Sequence, residues 1–235
     1  MRCRIADLNI EILNTDPATE TLCADFLSDF DSADIVISVS PFEVKKEMEE
    51  SPYNNSFAYT ESFLAFKKLS SHLAAYNAFL MHGAVVKLRG KGIVFSAPSG
   101  TGKTTHMLNW KKLFSNELSI INGDKPIIRF IGDEPKAYGT PWCGKEGYAE
   151  NDSVTLTDIC FIERASHNSI CRIDPKDAVS ELISQTLIPK NPVDAFAVLG
   201  MVDELLKKCA VWKIYCTKDT EAADTASNAI LNTEE

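Results

Sequence analysis

Residues 96–106 read Ser-Ala-Pro-Ser-Gly-Thr-Gly-Lys-Thr-Thr-His, directly after the apolar run Gly92-Ile93-Val94-Phe95. A loop of this composition between a strand and a helix turns successive backbone N–H groups toward phosphate oxygens, and the helix adds its positive N-terminus. Gly100 and Gly102 let the main chain curl closely, so the expected nucleotide contacts are Pro98, Ser99, Gly100, Thr101, Gly102, Lys103, Thr104 and Thr105. Lys103 would reach the β- and γ-phosphates and Thr104 would bind Mg²⁺. The consensus Gly-x-x-x-x-Gly-Lys-[Ser/Thr] is met at all but its first position, where Ala97 stands. The strand before and the helix after supply the context this motif requires, and they point to ATP held with Mg²⁺.

The remaining sequence must place this loop. Two strands, Gly83–Leu88 and Gly92–Ala97, joined by the turn Arg89-Gly90-Lys91, deliver it, and a helix over Lys103–Phe114 follows. Further strands are expected at Leu118–Asn122, Ile127–Ile131, Ile159–Ile162 and Val211–Cys216. Helices are expected over Lys176–Thr186, Val193–Lys208 and Glu221–Leu231. Phe63, Phe66, Leu69, Leu73, Tyr76 and Leu80 recur at steps of three and four, which predicts one amphipathic helix over Glu61–Leu80. Residues 132–135, Gly-Asp-Glu-Pro, read as a turn. Residues 1–56 read as a small N-terminal α+β lobe with strands at Ile10, Ile12 and Ile35–Val39 and a short helix over Thr19–Leu27. Its charge cluster at 45–50 reads as a solvated connection. Residues 57–235 form the phosphate-loop domain. Strand and helix alternation gives an α/β core, and the hairpin before the loop makes its sheet mixed, flanked by helices.

Composition narrows the partners. A formal charge of −9 without a long basic run argues against nucleic acid. No apolar run reaches the roughly 18 residues needed to span a bilayer, and the N-terminus lacks the apolar core of a secretion signal, so a cytoplasmic location without membrane attachment is expected. Seven cysteines without a Cys-x-x-Cys pair suit reduced, packed thiols; zinc is not expected. Oligomeric state is open at this point.

Three segments together, Met81-His82-Gly83-Ala84-Val85-Val86, the loop 92–104, and Ile120-Ile121-Asn122-Gly123-Asp124-Lys125, resemble the catalytic domain of HPr kinase/phosphorylase and its homologues. The loop is also similar to that of ATP-dependent phosphoenolpyruvate carboxykinase, of the same structural superfamily. The resemblance covers about residues 80–150. It implies a kinase in which His82 is a catalytic-site histidine, Lys103 and Thr104 are phosphate and Mg²⁺ ligands, and Asp124 is the acidic residue at the reaction centre. Relatives usually carry two adjacent aspartates where this chain has Gly123-Asp124, so Asp124 is read either as the acceptor's base or as a metal ligand. His106 is read as structural.

The loop Tyr138–Tyr148 looks like a segment of HPr-kinase-like proteins that include lasso-peptide kinases. Glu146 lies 43 positions after Lys103, a separation similar to that of the family's magnesium-binding glutamate, and is a further candidate metal ligand. Lys145 could neutralise transferred phosphate and Trp142 could cover a ligand, whereas Cys143 has no partner His beside it and is not read as a nucleophile. The expected activity is Mg-ATP-dependent transfer of the γ-phosphate to a hydroxyl, foremost a serine of a peptide or small protein. A small-metabolite kinase and a nucleotide-binding regulatory protein without transfer are the alternatives.

Overall fold

The computed structural model describes residues 1–232. Strands β1 (Arg2–Ile5), β2 (Leu8–Leu13) and β3 (Ile35–Ser38) form a three-stranded sheet, with the short helix α1 (Pro17–Leu22) between β2 and β3. The charge cluster expected as a connection is instead the end of helix α2 (Pro41–Glu50). Ser40 starts that helix with a reciprocal cap: its hydroxyl accepts from Glu43 N and the Glu43 carboxylate accepts from Ser40 N.

Helix α3 (Phe57–Ser70) stops earlier than the hydrophobic periodicity predicts. A 3₁₀ turn over Leu73–Tyr76 and a left-handed Asn77 then swing the chain into strand β4 (Ala78–Leu80). The apolar spacing reads as helical throughout because a buried strand and a buried helix share short apolar runs. The expected turn at 132–135 is also shorter, since Glu134 already opens a strand.

Strands β5 (Ala84–Leu88) and β6 (Lys91–Ser96) form the predicted hairpin, followed by α4 (Lys103–Phe114) and β7 (Leu118–Asn122). After β8 (Ile127–Ile131), β9 (Glu134–Tyr138) and the long β10 (Ser153–Arg164) come β11 (Ser169–Arg172), α5 (Pro175–Ser184), α6 (Pro192–Lys208), β12 (Ala210–Cys216) and α7 (Glu221–Leu231). The nine-stranded mixed sheet runs β4-β8-β9-β10-β6-β5-β7, with β12 joining β10 to β11. This is the α/β architecture with a mixed sheet, flanking helices and a small N-terminal sheet.

Alternation along β6 and β10 builds both faces. Val94, Ile159 and Phe161 point into one core with Leu182 of α5 and Val202 and Leu205 of α6. Phe95, Cys160 and Ile162 point into the opposite core with Trp110 of α4 and Ala226 and Ile230 of α7. A third core joins Ile10, Ile12 and Ile37 of the small sheet to Leu64, Phe66 and Leu69 of α3 and Leu80 of β4. The fully buried Glu61 of α3 binds back across this junction, accepting from Thr15 N, Thr15 Oγ1 and Thr19 Oγ1 at 2.7–2.8 Å. No helix among the described residues is long and apolar enough to cross a membrane.

Candidate functional site

β6, β10 and β12 are parallel, with β10 between the other two. Their C-terminal ends therefore emerge at one edge, the place where open α/β sheets bind ligands. From β6 the chain passes into the loop 97–102, where Gly100 and Gly102 stand at φ +77° and +126°, values that favour glycine. A Cβ at either would meet nothing within 4 Å, so the loop leaves room for a ligand against its backbone. Thr101 N donates to Pro98 O, and Arg164, at the end of β10, donates through Nε to Thr101 O at 2.9 Å and through Nη2 to Gly100 O. The loop is thus braced from its neighbouring strand.

A cleft of about 320 Å³ opens at this point; its lining includes Ser99, Gly100, Gly102, Thr104 and Thr105 together with Lys103, His82 and Asp124. It adjoins a second hollow of about 370 Å³ between Ile162 and Ala165 on one side and Cys216 and Thr217 on the other, with Gly102, Thr105, Arg164 and Lys218 common to both.

Three residues far apart in sequence meet in the cleft. Lys103, only 7 % exposed, donates from Nζ to Ala97 O at 3.0 Å and lies 2.9 Å from His82 Nε2. The same imidazole nitrogen is 3.1 Å from Asp124 Oδ1, and Lys125 Nζ binds Asp124 Oδ2 at 2.9 Å. Burial pushes the Lys103 ammonium down from its usual 10.5 to about 8, against the pull of Asp124. Burial raises the Asp124 carboxyl, but hydrogen bonds from His82 and Lys125 and the Lys125 charge outweigh it and hold the group at about 2. At neutral pH the site holds a fixed carboxylate beside a lysine whose charge is costly, which a phosphate would relieve.

Asp124 is placed by Asn122, the last residue of β7. The buried Asn122 side chain accepts from Asp124 N and Lys125 N at 2.9 and 2.7 Å and donates to Thr140 O and Thr140 Oγ1. Between them, Gly123 has no room for a side chain: a Cβ would lie 2.8 Å from Cys143 O. The loop 139–148 therefore occupies the space that a second aspartate would need.

Glu146 is exposed on that loop and does not line the cleft. Its Oε2 and the Asp124 Cβ both lie within 4 Å of where a Cβ on Gly144 would stand, which puts it on the Asp124 side. Trp142 does not line the cleft; its indole donates to Ser62 of α3 and packs on Phe66 at 5.3 Å. Lys145 is exposed, and burial raises the Cys143 thiol, keeping it protonated. His106, nearly buried at the second hollow, accepts from Trp110 Nε1 at 3.0 Å and is pushed by burial to about 4, so it is neutral.

Arg164, Lys218 and Asn122 were not singled out for chemistry by sequence. Arg164 ends a strand parallel to β6, and that position is the signal that could have found it. Asn122 sits inside a recognised motif but acts through its own backbone neighbours.

No family model matches the chain, and no curated protein matches it. Among solved structures, the chain is similar to the HPr(Ser) kinase/phosphatase from Coxiella burnetii, with 10 % identity and a TM-score of 0.36, covering 66 % of this chain and 99 % of that one.

Proposed function

We propose that this chain is a Mg-ATP-dependent kinase that transfers the γ-phosphate to a hydroxyl, foremost a serine of a peptide or small protein. The observation that carries the reading is the convergence of Lys103 and Asp124 on His82 Nε2, at 2.9 and 3.1 Å, beside an open glycine-rich loop. Phosphoryl transfer asks a protein to neutralise the travelling phosphate, hold the acceptor and take its proton.

ATP supplies the phosphoryl group, and Mg²⁺ neutralises its charge. Mg²⁺ is commonly held by one or two protein groups plus phosphates and water, and Thr104 at the start of α4 is the residue that would hold it, with Glu146 a further candidate. Lys103 exchanges its contact with His82 for phosphate oxygens, as its costly charge favours. Both Asp124 oxygens already bind nitrogen donors, which supports a role in orienting and accepting a proton over direct metal ligation. The second hollow, between Ala165 and Thr217, suits the nucleoside. A smaller hollow of about 170 Å³ shares His82 and Lys125 with the site and is bounded by Phe66, Leu80, Met81 and Leu187. Its apolar floor suits an amino-acid side chain better than a sugar.

The test is labelled γ-phosphate transfer against a panel of peptides, small proteins and metabolites, beside nucleotide titrations. Asp124→Asn is expected to leave nucleotide affinity within a few-fold and to cut transfer by roughly 10² or more, the scale of a lost general base. Affinity and transfer falling together would make Asp124 a metal ligand. Nucleotide binding by the wild type without transfer or hydrolysis would leave a nucleotide-binding regulatory protein.

A further inference from the structure

Helix α6 buries one side and leaves the other in water. Val198, Val202, Leu205 and Leu206 pack into the core with Leu182 of α5 and Phe161 of β10. On the outer side Val193 and Phe196 are 76 % and 80 % exposed, and the exposed Ala197 and Gly200 continue the same surface. Apolar side chains grouped in this way on a rigid helix mark an interaction surface.

Gly200 adds a second observation. It stands at the middle of a 17-residue helix, where glycine weakens the helix relative to alanine. Nothing among the described residues requires it, since a Cβ there would meet no atom within 4 Å. The exposed face therefore carries a knob at Phe196 and an open notch one turn further on.

Charge is divided along the same face. Val193, Phe196, Gly200 and Asp203 follow one another at steps of three, four and three, the spacing of a helix–helix seam. Beyond the notch, Asp203 and Glu204 share a single lysine, Lys207, at 2.7 and 2.8 Å, which leaves that end negative. Before the knob, the exposed Lys190 has no ion pair among the described residues.

We propose that this face binds a second copy of the chain, α6 lying antiparallel on α6 across a two-fold axis beside Ala197, with Phe196 of each copy seated over Gly200 of the other. Antiparallel packing makes that contact twice, so the face is its own complement, as a two-fold interface requires. The same arrangement brings Lys190 of each copy within reach of Asp203 and Glu204 of the other. A parallel arrangement would instead set Phe196 against Phe196 and carboxylates against carboxylates. A partner of different sequence would not account for knob, notch and opposite charges on one helix. The inference does not rest on the kinase reading.

The test is sedimentation velocity of the full chain over roughly 1–100 μM, where a dimer of the wild type is expected in the upper part of the range. Phe196→Glu changes a side chain already in water, so it should keep the wild-type circular dichroism while raising the dimer Kd by roughly 100-fold or more. Gly200→Leu, which fills the notch, should do the same. Lys190→Glu should weaken the dimer by about 10-fold, and adding Asp203→Lys and Glu204→Lys should recover most of that loss by exchanging the charges across the axis. A wild type that stays monomeric throughout overturns the proposal, as does a dimer indifferent to Phe196→Glu or to Gly200→Leu. A triple variant without recovery overturns the antiparallel register. A monomeric wild type that binds an acceptor protein, and binds it less well after Phe196→Glu, would give the face to the acceptor and likewise overturn self-association.

Discussion

Lys103 shows how a residue proposed to bind phosphate can work against the fold that carries it. Its folded value of about 8 lies below its usual 10.5, so the folded chain binds that proton more weakly than the unfolded one. Charged Lys103 therefore destabilises the ligand-free protein by roughly 3 kcal/mol below pH 8. The penalty shrinks as pH rises from about 8 and is gone above 10.5. Lys103→Met keeps the packed stem, forfeits the bond to Ala97 O, and is expected to be about 1–2 kcal/mol more stable than wild type at pH 7, the difference fading toward pH 10.5. Denaturant titration across pH checks this. The variant should also lose most of the stabilisation that Mg-ATP gives the wild type. At this scale the sequence was informative where chemistry is local. The spacing of Gly100, Gly102, Lys103 and Thr104 points to a phosphate-binding loop within a short stretch of chain, and flanking motifs mark His82 and Asp124. Gln185, whose Oε1 lies 2.8 Å from His82 Nδ1, carried no such mark, because that contact spans 103 positions.

Among the elements, the loop 139–148 explains the sequence's departure at Gly123. The single aspartate follows from packing, since the loop's own backbone fills the adjacent space. Gly123→Asp, which would set two carboxylates side by side at 123–124, is expected to lower stability by about 1–3 kcal/mol and, on the proposed function, to reduce transfer, through displacement of the loop and of Asn122. A thermal midpoint equal to wild type would contradict this account. The period of apolar residues found α4, α6, α7 and the hairpin β5–β6 with few errors. It failed at 71–80, where one apolar stripe continues through a change from helix to strand and only Asn77 marks the switch. It also missed β9 and most of β10, whose polar outer residues hide the strand. The capped helix α2 was hidden by its charges, although Ser40 and Glu43 stand at the spacing of a reciprocal cap.

Over the whole molecule, the small N-terminal sheet and the phosphate-loop region are joined by a common core. Ile10, Ile12 and Ile37 pack with Leu64, Phe66 and Leu69, and Glu61 is fully buried with its oxygens bound to residues 15–19. A chain beginning at residue 57 would expose this apolar face of α3 and lose the Thr15, Asp16 and Thr19 donors that Glu61 holds across the junction. It is expected to lack a cooperative unfolding transition, as calorimetry beside the full chain would show. The hollow of about 170 Å³ proposed for the acceptor includes Phe66 of the same helix, so the small sheet supports one wall of it.

Strand β10 spans both halves of the large sheet, pairing first with β9 and then, over Asp158–Phe161, with β6 and β12 at once. Its amides in that stretch have strands on either side and side chains buried at 0–3 % exposure. In heavy water they are expected to be the slowest of the chain to take up deuterium, exchanging only when the whole molecule opens. They would serve as an internal clock for global unfolding. Nucleotide should slow that clock by the factor with which it stabilises the native state, whereas loss of the loop 139–148 should speed deuterium uptake around Asn122 first.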